Sequence, residues 1–146
     1  FNACILNAPQ NDIIVMSAAV ADYTPINIAD LKLKKHDDEL FIELKRTKDI
    51  LKKLGEIKND KQVLVGFALE TDNEIINATE KLHKKNLDFI VLNSLNDKGA
   101  GFQTDTNKIT IINSQNQSES FPLKSKVEVA KDIVNKITEL IFSDEN

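Results

Sequence analysis

The sequence predicts a three-layer, Rossmann-like α/β fold in which a mostly parallel sheet carries antiparallel hairpin insertions. Three short continuous apolar runs, at 12–17, 62–67 and 88–93, are typical of strands buried on both faces. Helical patterns separate them, at 48–58 and 72–86. Strands that alternate with helices of about 10–15 residues indicate βαβ units, and therefore a parallel sheet.

Capping signals predict where the helices begin. Thr47 is expected to be the N-cap of the first long helix. Thr71 with Glu74, and Ser125 with Glu128, have the spacing of a capping box at the starts of the next two. The last helix is expected to bury an apolar stripe formed by Val127, Ala130, Ile133, Val134, Ile137 and Ile141.

Two segments break the α/β alternation. Residues 31–33 and 40–44 alternate apolar and polar side chains on either side of a charged tip, which predicts an antiparallel ribbon. Residues 108–112 and 120–123 flank a polar run at 113–119. This second pattern predicts a hairpin that closes one edge of the sheet.

Length and composition favour one soluble domain over residues 1–146. The chain has 41% hydrophobic and 29% charged residues and a formal net charge of −4, so no broad nucleic-acid surface is expected. No run approaches the roughly 18 apolar residues of a membrane span, and no signal peptide precedes the first strand. The single cysteine, Cys4, cannot form an intramolecular disulfide. These features predict a cytoplasmic protein with no membrane partner.

The start of the chain is unusual because it has no initiator Met. Residues from Phe1 onward are typical of the tail of a helix that ends near Pro9. We therefore expect the sequence to be a piece of a longer domain.

Two groups of residues fall where ligands collect in an open parallel sheet, outside the carboxyl ends of the strands. The loop from Ser17 to Tyr23 is rich in small residues that let a ligand approach the backbone, and Asp22 can accept hydrogen bonds from it. A tight strand exit in which Asp22 caps a turn explains the same pattern. Lys32 and Lys34 share one face of the predicted ribbon, either toward an anion or simply toward solvent.

A third group lies at the end of the second buried run. Phe67 is placed where its ring can stack on a base, and Lys81 and Lys85 share one face of the following helix. Two lysines four residues apart can converge on one polyanion. A core phenylalanine and an ordinary charged helix face explain the same pattern without any ligand. No zinc-ligand spacing, nucleophile elbow or Walker loop is present.

Together and in order, these segments resemble the phosphopantothenoylcysteine synthetase family, the C-terminal half of a bifunctional coenzyme A biosynthesis flavoprotein. The resemblance extends over nearly the whole chain. The blocks that carry it are Ala18–Tyr23, Lys32–Lys35, Thr47–Ile50, Val65–Thr71, Lys85–Asp88 and Gly101–Phe102. The resemblance implies a Rossmann-like domain with ligase activity.

The reaction that the resemblance implies has two steps. The carboxylate of 4'-phosphopantothenate attacks the α-phosphate of CTP and releases pyrophosphate, which gives an acyl-cytidylate. The amine of cysteine then attacks the activated carbonyl and expels CMP. The resemblance also implies Mg²⁺ with CTP as co-substrate and a homodimer. In many bacteria the family's domain is fused to a flavin-dependent decarboxylase, and the sequence leaves open whether that is so here.

The resemblance assigns roles to individual residues. Ala18 and Asp22 match the block that contacts the nucleotide, and Lys32 matches a lysine on a flexible flap near the triphosphate that is needed for full turnover. Phe67 matches an aromatic residue beside the base. Among the lysines of this chain, Lys32 is therefore the expected catalytic residue.

The remaining nucleotide contacts come from a loop and a helix. Thr47, Lys48, Asp49 and Ile50 match a nucleotide-binding loop, although the family often has Asn-Pro or Thr-Pro in place of the first two residues. If backbone groups make that contact, the difference costs little. Lys81 and Lys85, which are named above, match two further lysines that bind the nucleotide.

One departure from the family pattern is large. The glycine-rich first βα segment of the family, with an asparagine that serves the acyl-cytidylate, has no counterpart here and would precede Phe1. The sequence therefore predicts the larger, C-terminal part of a synthetase domain. A non-catalytic nucleotide-binding or dimerisation fragment is the alternative. A Rossmann-type oxidoreductase is a weaker one, because the G-x-G-x-x-G pattern is absent.

Overall fold

The computed structural model describes residues 1–29, 31, 39–94 and 104–143. Short helices and strands alternate along the first two thirds of the chain, and a long helix ends it. The elements are α1 (Asn2–Asn7), β1 (Ile13–Met16), β2 (Tyr23–Pro25), β3 (Leu44–Arg46), α2 (Ile50–Ile57), β4 (Val63–Glu70), α3 (Glu74–Lys84), β5 (Phe89–Ser94), β6 (Thr106–Asn107), β7 (Ile109–Asn113), β8 (Ser118–Ser120), β9 (Lys124–Ser125) and α4 (Lys126–Ser143).

A five-stranded sheet in the order β1-β4-β5-β7-β8 forms the centre of the fold. Strands β1, β4 and β5 are parallel, with Val15 opposite Val65 and Val65 opposite Phe89. Strands β7 and β8 add an antiparallel hairpin at one edge. The predicted mostly parallel sheet with a closing hairpin is therefore confirmed.

Helices pack on both faces of this sheet and make three layers. One apolar cluster joins the sheet to α1, α2 and α3 through residues such as Leu54, Leu82 and Ile90. A second cluster joins the opposite face to α4, with Phe89 at its centre. Phe89 and Ile90 are fully buried although they are adjacent in β5. A central parallel strand is covered on both faces, which is why its sequence is continuously apolar.

Strand β1 differs from the prediction because it is an edge strand among the described residues. Ile13 and Val15 are 43% and 42% exposed, so this run is not buried on both faces. Among the described residues β4 is the one strand that pairs with β1, and the apolar side chains of an edge strand are less completely covered than those of a central strand.

An antiparallel ribbon is present, but its described arms are not the predicted ones, and of the predicted second arm at 40–44 only Leu44 lies in a strand. Strand β2 pairs with β3, with Tyr23 opposite Arg46 and Pro25 opposite Leu44. The predicted first arm at 31–33 and the predicted charged tip fall almost entirely on residues outside the described part of the chain. The expectations for Lys32 and Lys34, and the Gly101–Phe102 block, lie outside it as well.

Two of the three predicted helix caps are wrong. Asp49, not Thr47, is the N-cap of α2, and its carboxylate accepts a hydrogen bond from the Lys52 N–H at 2.9 Å. Helix α3 begins after Asn73, whose left-handed φ of 45° ends the preceding turn without a side-chain cap. The capping box expected from Thr71 therefore does not form. Spacing alone does not identify the residue whose backbone leaves the helical region.

The third cap is confirmed, while the stripe of α4 is corrected. Ser125 and Glu128 exchange hydrogen bonds at 2.6–3.3 Å, as in a capping box. The buried face of α4 includes Val129, which the predicted stripe omitted, with Ile133 and Ile137. Of the predicted members, Val127, Ala130, Val134 and Ile141 are exposed. None of the described helices combines the length and apolar composition needed to cross a membrane.

Candidate functional site

A cavity of about 340 Å³ opens at the carboxyl ends of β1 and β4. Two loops border it, one that follows β1 and one that precedes α2, and the far side is formed by α3. Nine of the ten residues predicted for the nucleotide site line it, namely Ala18, Asp22, Thr47, Lys48, Asp49, Ile50, Phe67, Lys81 and Lys85. The tenth, Lys32, lies outside the described residues. The structure thus brings together residues that are up to 67 positions apart in the sequence.

Thr47 ties the two loops together. Its hydroxyl donates to the Ala21 carbonyl at 2.7 Å, and its N–H donates to the Asp22 carbonyl at 2.9 Å. The β2–β3 ribbon continues this contact, so the loop after β1 and the loop before α2 are held as one wall. Thr47 therefore fastens the cavity wall instead of capping the helix.

The Lys81 ammonium group lies on the α3 side of the cavity. Its Nζ donates to the Phe67 carbonyl oxygen at 2.7 Å, and the residue is partly buried. Burial lowers the pKa of Lys81 because it removes water from the charged form, and the nearby Lys85 charge adds to the effect. Glu70, Asp49 and Asp22 act in the opposite direction but do not cancel it. An anion in the cavity would relieve this unfavourable environment.

The Lys85 ammonium group forms an ion pair with Asp49, and both residues line the cavity. Its Nζ lies 3.3 Å from Asp49 Oδ1 and 3.1 Å from Asp49 Oδ2. Burial acts to raise the pKa of Asp49, but the Lys52 N–H and the Lys85 charge outweigh it and the net shift is downward. The Asp49 side chain is 44% exposed, so the pair remains within reach of solvent and of a competing anion.

Phe67 separates this polar cavity from an apolar one of about 500 Å³ that lies against α4. Ser17, Phe67, Leu69 and Asn93 border both cavities. The Asn93 Oδ1 accepts a hydrogen bond from Asn107 at 2.8 Å, which leaves its amide N–H groups as the donors it can offer. The aromatic ring therefore stands at the boundary between a charged and an apolar region, a suitable position for a planar base.

Asn93 is a cavity residue that the sequence analysis missed. It stands near the carboxyl end of β5, next to β4, and this position was a usable signal because ligands in such folds gather at strand ends. Leu51 and Leu69 also line the cavity and carry no chemical signature that a sequence could reveal. Lys48, a predicted site residue, lines the cavity, and its ammonium group lies over the Phe1 ring, 4.7 Å from the ring centre.

The carboxylates of the cavity do not form a protein cage for a metal ion. Asp22 and Asp49 line it, and the part of the chain that the structure describes contains no cluster of three or more His, Cys, Asp or Glu side chains suited to a metal. Mg²⁺ commonly keeps several waters and is held by one or two carboxylates together with substrate phosphates. This donor set fits Mg²⁺ that arrives with a triphosphate.

Comparison with known proteins identifies close relatives among coenzyme A biosynthesis proteins. The coenzyme A biosynthesis bifunctional protein CoaBC of Bacillus subtilis is 47% identical over 130 residues, which are 89% of this chain and 32% of that protein. CoaBC of Haemophilus influenzae is 40% identical over 139 residues, 95% of this chain and 34% of its own. A cysteine/cysteine sulfinic acid decarboxylase from an unknown prokaryotic organism is 55% identical over 130 residues, 89% of this chain and 36% of that protein. The chain thus spans about a third of the length of these curated relatives.

Solved structures agree with the fold. The crystal structure of the C-terminal domain of CoaBC superposes with a TM-score of 0.76 at 39% identity, covering 98% of this chain and 61% of that one. A Cab2 variant in complex with phosphopantothenate-cysteine has a TM-score of 0.68 at 19% identity, covering 92% and 46%, and supports the fold alone. The model of the DNA/pantothenate metabolism flavoprotein C-terminal domain matches residues 1–141. The family resemblance read from the sequence is thereby confirmed, and the chain belongs to the DNA/pantothenate metabolism flavoprotein C-terminal domain family.

Proposed function

We propose that this chain is the nucleotide-binding part of a ligase that joins 4'-phosphopantothenate to cysteine at the expense of CTP. The observation that carries the proposal is the single cavity around which nine of the ten predicted residues gather. Family membership supports a role in coenzyme A biosynthesis. The complete reaction is a property proposed for the whole protein, of which this chain resembles about a third.

The charges of the cavity suit a triphosphate. Lys81 and Lys85 place two ammonium groups at the cavity, and Lys32, which lies outside the described residues, is proposed to add a third. Each of the two described groups is held by a ligand that a polyphosphate of about −4 charge can replace, a neutral carbonyl for Lys81 and an exposed carboxylate for Lys85. Mg²⁺ bound to the triphosphate supplies further charge neutralisation and makes pyrophosphate a better leaving group.

The proposed reaction transfers one carboxylate oxygen of 4'-phosphopantothenate to CMP, so it can be followed with an oxygen isotope. In the first step a carboxylate oxygen of 4'-phosphopantothenate bonds to the α-phosphorus as the bond to pyrophosphate breaks. In the second, the cysteine amine bonds to the carbonyl carbon, its proton passes to solvent, and CMP leaves with that same oxygen. The role of the cavity is to hold the two reactants in line and to stabilise the charge that develops on phosphate oxygens.

The test is therefore to incubate the protein with CTP, Mg²⁺, cysteine and 4'-phosphopantothenate labelled with ¹⁸O in its carboxylate. Equal release of pyrophosphate and CMP, with one ¹⁸O atom in each CMP, is expected. CMP without label would refute an acyl-cytidylate. A parallel reaction with ATP decides the base preference.

The alternative is a chain that binds the nucleotide without catalysing the reaction. Saturable CTP binding in a calorimeter, with neither pyrophosphate nor CMP released, would favour that alternative. Absence of both binding and turnover would refute the nucleotide site itself.

We also propose a homodimer formed through the ribbon. Ile28, Leu40 and Phe41, in the segments that extend from the two strands of the ribbon, are 80%, 69% and 83% exposed, and Tyr23 and Leu44 within those strands are more than half exposed. Apolar patches of this kind mark protein interaction sites. Sedimentation equilibrium is expected to give twice the chain mass, and Phe41→Ser is expected to shift the equilibrium toward monomer. A monomeric parent protein at micromolar concentration would refute this.

A further inference from the structure

Helix α2 contacts Lys85 at two points, and the second of them depends on a glycine. The first is the ion pair between Asp49 and the Lys85 ammonium group. The second is Gly55, whose missing side chain leaves room for the main chain of Lys85. A Cβ atom at position 55 would lie 1.9 Å from the Lys85 carbonyl oxygen and 2.8 Å from its carbonyl carbon.

The backbone around Lys85 is itself fixed. Asn86 adopts a left-handed φ of 51°, and the N–H groups of Asn86 and Leu87 donate to the carbonyls of His83 and Leu82, closing α3 in a Schellman motif. The Asn86 side-chain amide then donates to the Gly55 carbonyl at 2.9 Å. Helix α2 is therefore fastened to the end of α3 by a hydrogen bond and by direct backbone contact.

This junction is more specific than ordinary core packing. The atoms that a Cβ at position 55 would meet belong to main chain, which cannot rotate away as the end of a side chain can. The Lys85 carbonyl oxygen would have to move by about 1.5 Å to reach an ordinary contact distance. Misplacement of a binding group by only about 1 Å can already cost about 10²-fold in rate.

We propose that Gly55 is a positioning residue that acts through Lys85. Because Gly55 lets the Lys85 main chain pack directly against α2, it determines where the Lys85 ammonium group lies. In that position the ammonium group pairs with Asp49, and a polyphosphate in the cavity would replace Asp49 as its partner. The inference rests on the proposed function, because it takes the cavity to be a polyphosphate site. Gly55 itself lines no part of that cavity.

A double-mutant cycle tests the proposal, with CTP and inorganic tripolyphosphate as the ligands in calorimetry. Gly55→Ala is expected to weaken binding of both by about 10-fold, and Lys85→Gln by about 10- to 100-fold. The double variant is expected to bind no worse than Lys85→Gln alone, because the glycine has nothing left to position. Additive losses would overturn the proposal.

Two further variants separate positioning from general loss of stability. Leu54→Ala leaves a hole in the core beside Gly55, where Leu54 is 1% exposed, so it destabilises the fold without displacing Lys85. Its affinity is expected to stay within about twofold of the parent. Asn86→Gly keeps the left-handed backbone but removes the hydrogen bond to Gly55, and is expected to weaken binding about threefold only when Lys85 is present.

The outcomes also separate this inference from the proposed function. If the parent chain binds neither CTP nor tripolyphosphate, the proposed function fails and the positioning role fails with it. If the parent binds and the cycles with Gly55→Ala and Asn86→Gly are both additive, the positioning role alone is refuted. If Gly55→Ala does not fold, the Asn86→Gly cycle decides the question.

Discussion

Replacing Asp88 by alanine removes a carboxylate that joins three elements below the cavity. Both of its oxygens accept hydrogen bonds from the Lys58 ammonium group, at 2.8 and 2.7 Å, and Oδ2 also accepts the Leu64 N–H at 2.6 Å. Lys58 is the C-cap of α2, Leu64 lies in β4, and Asp88 immediately precedes β5. The end of α2 and the starts of two parallel strands therefore share one anion.

The expected loss of unfolding free energy follows from what Asp88→Ala leaves behind. The Lys58 side chain is 11% exposed and would lose its only anion among the described contacts, while the fully buried Leu64 would lose the acceptor of its N–H. Breaking a buried ion pair costs about 3–5 kcal/mol, and an unsatisfied buried donor about 1–3 kcal/mol. Because the Asp88 side chain is 30% exposed and water can reach the gap, we expect about 3 kcal/mol in total.

Urea denaturation followed by circular dichroism measures this loss. At the size of this chain, 3 kcal/mol corresponds to a fall in Tm of roughly 6–12 °C. Asp88→Asn keeps an acceptor for Leu64 without the charge and is expected to lose about half as much. Glu56→Ala is the matched control, because the Lys53–Glu56 pair is 44% and 49% exposed and contributes less than about 0.5 kcal/mol. A loss of similar size for Asp88→Ala and Glu56→Ala would refute the reasoning.

Three further outcomes are expected at the cavity. Phe67→Ala should weaken CTP binding by about 1–3 kcal/mol in calorimetry, because a base loses its stacking partner, but should leave tripolyphosphate binding unchanged; equal losses for both ligands would indicate damaged packing instead. Lys32→Gln should lower the rate of pyrophosphate release by about 10²–10³-fold with little change in Tm, and Lys35→Gln serves as its control; a large fall in Tm would show that Lys32 is structural. The lowered pKa of Lys81 predicts that polyphosphate affinity falls as pH rises through that pKa toward 10.5, because the neutral amine binds the anion less well. In that pH range, binding should be accompanied by proton uptake, which calorimetry in buffers of different ionisation enthalpy measures. Lys81→Arg should abolish the uptake.

The same lowered pKa has a defined effect on stability. The folded state disfavours the charged form of Lys81, so the penalty is fully present below the folded pKa and is relieved as pH rises toward the unfolded value of 10.5. Between those two values the unfolded chain binds more protons than the folded one, and stability contributed by this group rises with pH. Affinity for a polyanion changes in the opposite direction, which distinguishes the two measurements.

The sheet was predictable from the sequence because its signals are local and redundant. Residues 63–68 of β4 and 89–92 of β5 form continuous apolar stretches because both faces of the sheet are covered there. The hairpin β7–β8 was visible as two extended runs around a polar turn. The edge position of β1 was not predictable in the same way, because exposure depends on which strands are present beside it and not on its own residues.

Helix starts were less predictable, since a cap is defined by backbone geometry that spacing only suggests. Thr47 and Asp49 are both good N-cap residues, and which of them caps α2 depends on a partner from elsewhere in the chain. The Thr47 hydroxyl donates to the Ala21 carbonyl, 26 residues away in the sequence, and this tertiary hydrogen bond holds the side chain away from the start of α2. Asp49 is then left to accept the Lys52 N–H.

The candidate site was predicted by the resemblance and not by any single pattern. Taken alone, Phe67 fits a core position and Lys81 fits a solvated helix face. In the structure each residue meets its description only in part. Phe67 packs against the α4 cluster and also borders the cavity, and Lys81 is partly buried instead of fully solvated. Only the order of several blocks along the chain predicted that these residues belong to one site, and both line the same cavity.

The two lysines of α3 show why residue type and spacing underdetermine a binding site. Lys81 and Lys85 lie one helical turn apart, yet one is held by the Phe67 carbonyl and the other by the Asp49 carboxylate. A polyphosphate displaces a neutral dipole from the first and an anion from the second, so on the proposed function the two ammonium groups differ in what they release on binding. Lys85 additionally needs its main chain against Gly55, a residue 30 positions away that contributes no atom to the cavity. The position of the positive charge at the site therefore depends on how α2 packs against α3, and a substitution outside the cavity can shift it.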